Sequence, residues 1–149
     1  NISKIKFSKK SDLLGEVKLT VTQINAGVQH NVVPAEVKIV LDARINDKYS
    51  NLEIYEILKN ELDCEINARN LELNSSSISK NHKIVKAGNS LGFKIYGSPT
   101  LSDQAGLDCP SLKIGPGDSI RSHSANEFIY VREIEEGIDL YINLLKQIL

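Results

Sequence analysis

The stretch KIGPGDSIRSHSANEFI, residues 113–129, gathers the residue types in this chain that could do chemistry. His123 follows a Gly115-Pro116-Gly117 turn and sits among Ser119, Arg121, Ser122, Ser124, Asn126 and Glu127. Three chemistries are open to it. It can be an ordinary loop histidine bonded to backbone. It can join a Ser-His-Asp triad with Ser98, Ser102, Ser119, Ser122 or Ser124 and with Asp103 or Asp118, although nearness in sequence says nothing about triad geometry. It can also ligate a metal through its neutral imidazole, with a neighbouring acceptor orienting the ring. Zinc takes several ligands. The chain has only His30, His82 and His123, with no HxxxH or HxH spacing, so His123 would supply one ligand and the others would come from elsewhere.

The chain that must carry this loop has 149 residues, is 41% hydrophobic and has a formal net charge of -1. That length suits one domain with a core, or two small pieces. The near-neutral balance gives no electrostatic footprint for nucleic acid or an anionic membrane, and 5% aromatic residues without Trp offer few stacking platforms. No run of about 18 apolar residues suggests a membrane span, and no basic-then-apolar leader opens the sequence. Cys64 and Cys109 lie far apart and outside any CxxC pair. The expectation is a cytoplasmic protein with two reduced thiols. The sequence opens at Asn1 and contains no Met, which suggests a piece of a longer protein.

Residues 16–25 alternate, with Val17, Leu19 and Val21 on one face, and residues 35–44 do the same with Val37, Ile39, Leu41 and Ala43. Two such runs predict an antiparallel pair. Ser50-Asn-Leu-Glu53 is a capping box that opens a helix to about Leu62, with Leu52, Tyr55, Leu58 and Leu62 at helical spacing. A third strand is expected over 64–74, with a bulge or an early end where its apolar parity changes between Ala68 and Leu71, and NSSSIS at 74–79 reads as a polar junction. Beyond it come a short helix over 81–92, buried strands over 93–99 and 110–117, and a turn with a short helix between them. A closing amphipathic helix follows from Val131, with a stripe of Val131, Ile134, Ile138, Tyr141, Leu145 and Ile148. Strand, strand, helix, strand is most of a split βαβ unit. The expected class is α/β (α+β), with an incomplete ferredoxin-like antiparallel domain at 1–76 and an α/β segment at 77–149.

Four motifs in order carry a resemblance. They are Ser102-Asp103, Gly115-Pro116-Gly117, and His123 followed by Asn126-Glu127-Phe128, preceded upstream by Asn31-Val-Val-Pro34 with a strand ending Asp42-x-Arg44. Together they resemble the metal-dependent deacetylase, aminoacylase and carboxypeptidase family, acetylornithine deacetylase most of all. The resemblance implies a two-zinc hydrolase, with cobalt or manganese as alternatives. Residues 1–76 would be its lid, or dimerisation, domain and 77–149 the end of its α/β zinc-hydrolase catalytic domain. It implies removal of an acetyl or succinyl group from an amino acid such as N-acetylornithine, in arginine biosynthesis, by a homodimer paired through the lid.

By that resemblance His123 is a metal ligand, with Asn126 and Glu127 close behind it. Arg44, Asn31, Thr100, Ser102 and Ser119 would face substrate. Each has a plainer reading. Arg44 can pair with Asp42 at the surface, and Asn31, Thr100, Ser102 and Ser119 can serve their turns. The family's His-x-Asp pair, bridging Asp and Glu-Glu pair have no counterpart in this chain, so the general base is expected upstream and the chain by itself is expected to be inactive. The competing reading is a non-catalytic dimerisation or small-ligand-binding module.

Overall fold

The computed structural model describes residues 2–100 and 102–149, which fold as two compact units. One comprises the residues up to Ser75 together with Gly97–Gly106; the other comprises Ser76–Tyr96 and Leu107–Leu149. The elements are β1 (Lys18–Ala26), β2 (Val37–Arg44), α1 (Asn51–Glu61), α2 (Lys83–Ser90) and α3 (Val131–Lys146), with 3₁₀ turns at Ile2–Lys4, Asp103–Gly106 and Ser119–Arg121. The architecture is α+β.

In the first unit β1 and β2 pair antiparallel, from Lys18 opposite Arg44 to Ala26 opposite Val37. The register shifts between Val21 and Gln23, so Thr22 is an extra residue. This bulge reconciles the apolar residues of β1 with those of β2. Apolar parity in β1 breaks between Val21 and Ile24, and one inserted residue returns Ile24 to the face that carries Leu19 and Val21. Opposite Leu19, Val21, Ile24 and Ala26 stand Ala43, Leu41, Ile39 and Val37. Much of this apolar row faces solvent, Ile24 at 65% and Val37 at 54% exposure.

The core of this unit lies between α1 and the segments that flank the strand pair. Val17, Tyr49, Ile54 and Leu58 are buried, and Ile5, Phe7, Leu19, Ile45, Ile57, Leu62 and Ile66 pack around them. Asn46, 1% exposed, ties the entering chain down by donating to the carbonyls of Lys9 and Gly15 and accepting from the Lys48 N–H. The Ser50 capping box forms as expected, its hydroxyl accepting from Glu53 N–H and the Glu53 carboxylate accepting from Ser50 N–H. The inward stripe of α1 keeps Leu58 and Leu62 from the expected one, with Ile54 joining them. Ile54 and Leu58 go inward, whereas Leu52 is 54% exposed.

The expected strand at 64–74 does not form. Asn70 Oδ1 accepts from the N–H groups of Glu72 and Leu73, an Asx turn that bends the chain out of an extended path. The expected strands at 93–99 and 110–117 are likewise unpaired, since alternation makes a strand only where a neighbour supplies the ladder.

In the second unit α2 packs on α3. His82 caps α2, its Nδ1 accepting from Ile84 N–H at 3.3 Å. At the far end Ser90 donates to the Gln147 side chain at 2.7 Å. The buried face of α3 runs through Gly137 and Leu144 rather than along the expected stripe. Val131 is 71% and Ile138 56% exposed. Gly137 is buried because Pro116 lies against it: a Cβ at 137 would stand 2.9 Å from Pro116 Cβ.

Candidate functional site

The loop from Ile114 to Tyr130 is fixed at both shoulders. At its start the Tyr141 hydroxyl donates to the Ile114 carbonyl at 2.7 Å, and Pro116 seats on Gly137. Gly117, at φ +82, makes the turn, and a side chain there would press on Ile129. Asp118 then caps the short 3₁₀ turn, its carboxylate accepting from Ile120 N–H at 2.9 Å. At the loop's end the Glu133 carboxylate takes the Tyr130 N–H at 3.0 Å and the Arg121 guanidinium, and the Arg121 side chain is only 17% exposed. That guanidinium also lies 5.0 Å from the Phe128 ring and 5.3 Å from the Tyr130 ring, which meet edge-to-face. The Arg121 guanidinium beside Glu133 holds its carboxyl below the usual range, and the pairing raises Arg121 in turn.

His123 sits at the exposed crest of this loop at φ +58, and Asn126 follows at φ +59. Residues with a Cβ avoid this region at a cost of roughly 1–2 kcal/mol each. The Glu127 carboxylate accepts the His123 backbone N–H at 2.9 Å. Among the described residues no hydrogen bond engages the His123 ring nitrogens. The other two histidines differ. His82 uses its ring as a helix cap, and His30 lies on the exposed connection between β1 and β2.

Four expected site residues therefore share one loop: Ser119, His123, Asn126 and Glu127. Ser119 opens the 3₁₀ turn and its carbonyl accepts from Ser122 N–H. The others belong to the first unit. The Thr100 hydroxyl bonds to the Ser98 hydroxyl at 2.7 Å. The Ser102 carbonyl accepts from Ala105 N–H, and its side chain lines a shallow recess with Leu73, Asp103 and Gly106. Leu101, which precedes the Ser102-Asp103 motif, lies outside the described residues. Asn31 is on the exposed β1–β2 connection, while Arg44 ends β2 and donates to Asp42 Oδ2 at 2.7 Å at the surface. That is the ion pair of its plainer reading.

The triad finds no support in these contacts. Asp118 spends its carboxylate on a turn, and Ser124 donates to the Arg121 carbonyl at 2.6 Å. Gly88-Asn89-Ser90-Leu91-Gly92 has the spacing of a nucleophile elbow, but Ser90 ends helix α2 and its hydroxyl is engaged by Ala87 and Gln147. Sequence reading missed Arg121 and Gly137. Arg121 meets partners seven to twelve residues away, a spacing with no period, and Gly137 does not register as apolar.

For a metal the fit is partial. Among the described residues no group of three or more His, Cys, Asp or Glu side chains is placed to hold an ion. The uncommitted imidazole of His123, on a fixed loop, suits a single ligand position. Cys64 and Cys109 are both exposed free thiols. Among the described residues no helix is long and apolar enough to cross a membrane.

Comparison with known proteins bears on this arrangement. Residues 2–69 match a family model described as a peptidase dimerisation domain. Relatives include a LysW-lysine/LysW-ornithine hydrolase of Sulfurisphaera tokodaii, 31% identical over 85% of this chain and 39% of its own length. A second protein of that name, from Saccharolobus solfataricus, is 28% identical over 97% of the chain and 44% of its own length. A protein of Talaromyces marneffei named "probable carboxypeptidase" is 25% identical over 91% of the chain and 33% of its own length. Residues 2–69 thus resemble the dimerisation domain of peptidases, and the chain spans between a third and a half of the length of these relatives.

Proposed function

We propose that the chain is the dimerisation domain and the closing catalytic segment of a metal-dependent hydrolase that cleaves an amide on the amine of an amino acid. The observation that carries this reading is the His123 loop, which presents an uncommitted imidazole from a fixed backbone in a chain that resembles these relatives. The relatives named for LysW-lysine and LysW-ornithine favour lysine or ornithine as the amino acid. Within that class we propose N-acetylornithine or a succinylated counterpart, in arginine biosynthesis and in the cytoplasm.

His123 would hold one of two divalent metals, zinc first and cobalt or manganese as alternatives. Such a metal, when bound, lowers the pKa of a water and polarises the carbonyl under attack. The chain's own part is to bind and orient. Arg44 has the planar fork that suits a substrate carboxylate and would exchange its exposed bond to Asp42 for it. Asn31, Thr100, Ser102 and Ser119 offer hydroxyls and an amide to the substrate's polar groups. The exposed apolar row on β1 and β2 supports pairing of two copies through the lid. The second reading, a non-catalytic dimerisation or small-ligand module, draws on the lack of a three-ligand cluster among the described residues.

The test is amide hydrolysis by the complete gene product, with N-acetylornithine, N-succinylornithine and a carboxyl-linked ornithine conjugate, before and after chelation. Chelator-sensitive release of ornithine from one of them is expected, with none from the 149-residue chain alone. Substrate-independent silence of the complete, metal-loaded product would favour the module.

A further inference from the structure

We propose that Arg121 and Glu127 are positioning residues that hold His123 in its left-handed backbone conformation and so fix the direction in which its imidazole leaves the loop. The inference rests on the reading of His123 as a ligand and deepens it. It starts from a local problem. His123 and Asn126 both have positive φ, at 58° and 59°, and neither is glycine. Such a backbone persists only when surrounding contacts over-determine it.

Two contacts do so. The Glu127 carboxylate takes the His123 N–H at 2.9 Å, a charge-assisted bond across the tight turn, and Glu127 N–H donates to the Ser124 carbonyl. On the other shoulder the Arg121 carbonyl accepts the Ser124 hydroxyl at 2.6 Å, so the turn is anchored to wherever Arg121 is held. Arg121 is held by three partners beyond the turn: the Glu133 carboxylate, the Phe128 ring and the Tyr130 ring. A guanidinium can meet a carboxylate at its edge and rings at its faces together, which an ammonium cannot. Neither Arg121 nor Glu127 bonds the imidazole. Both act on backbone and leave the ring to its own partner, as a positioning role requires.

The experiment uses the complete gene product and NMR, with histidine-selective labelling for the rings of His30, His82 and His123, which are assigned by single substitution. Amide hydrogen exchange at His123 is followed in Glu127→Ala, Glu127→Gln, Arg121→Ala and Arg121→Lys, and zinc chloride is then titrated into each. In both alanine variants the His123 amide should exchange about tenfold faster while amides around Leu144 hold their rates. Glu127→Gln should restore protection, because its amide oxygen still accepts, and Arg121→Lys should restore it only in part. The zinc-induced shift of the His123 ring, measured against His30 in the same spectrum, should weaken in the alanine variants and return in Glu127→Gln. Unchanged His123 exchange in both alanine variants, or equal acceleration around Leu144, overturns the proposal. A parent chain in which zinc shows no preference for the His123 ring defeats the ligand reading, and the exchange data still report on the clamp.

Discussion

The connection between β1 and β2 and the loop entering α3 both carry motifs that resemble the family's, and their structures are opposite in kind. Residues 27–36 are exposed throughout, and apart from the ladder the described backbone makes one hydrogen bond there, Val32 N–H to the Gln29 carbonyl at 3.5 Å. The loop from Ile114 to Tyr130 is held by Tyr141, Gly137, Asp118, Arg121, Glu127 and Glu133. If His123 ligates a metal as proposed, aiming its imidazole needs a backbone that cannot drift. The connection that carries Asn31 can, on the proposed reading, leave its ordering to the encounter with substrate or partner, as binding loops do. The histidines follow the same division, His30 on the open connection and His123 on the held loop.

This contrast can be pressed by substitution. The largest effect is expected from Gly137→Val, which drives a side chain into Pro116 and should cost about 1–3 kcal/mol of stability in chemical denaturation, with the amides of Gly115 and Gly117 exchanging faster. Tyr141→Phe removes the bond to the Ile114 carbonyl and should cost about 1 kcal/mol, read in the same way.

Acid should loosen the held loop and spare the open one. Glu133 is depressed by Arg121 first and then by the Tyr130 N–H. Its contribution is therefore complete above the ordinary glutamate value and lost as pH falls through the lower folded value. Amide protection between Asp118 and Tyr130 should persist at pH 5 and fade below about pH 4, and Glu133→Gln should flatten that dependence. The smallest effect is expected from Val33→Ser on the open connection, where Val33 is 89% exposed: a stability change within about 0.5 kcal/mol. A cost at Val33 equal to that at Gly137 would erase the distinction between the two loops.

Much of this was legible in the sequence where the signal is local. The alternation of residues 35–44 and the Ser50–Glu53 box predict β2 and the start of α1, and both form. The Gly-Pro-Gly turn and His123 mark the held loop. What escaped depends on distant partners. The Thr22 bulge becomes visible only when the apolar residues of β1 are read against β2. The run at 64–74 looks like a strand with a parity change between Ala68 and Leu71; the Asn70 turn falls at that change and the run pairs with nothing among the described residues. On α3 the apolar pattern points to Val131, Ile134 and Ile138, which are exposed, because the buried contact is made by a glycine. Arg121 reads as one more polar loop residue until its rings and carboxylate are brought around it.

The measurement that bears most directly on the role of His123 is the metal content of the complete gene product, as purified and as His123→Ala. Loss of one metal equivalent per chain on substitution, with retained fold and dimer, is the expected result. Identical metal content in the two proteins would contradict the assignment of His123 as a ligand and return the loop to a purely structural part.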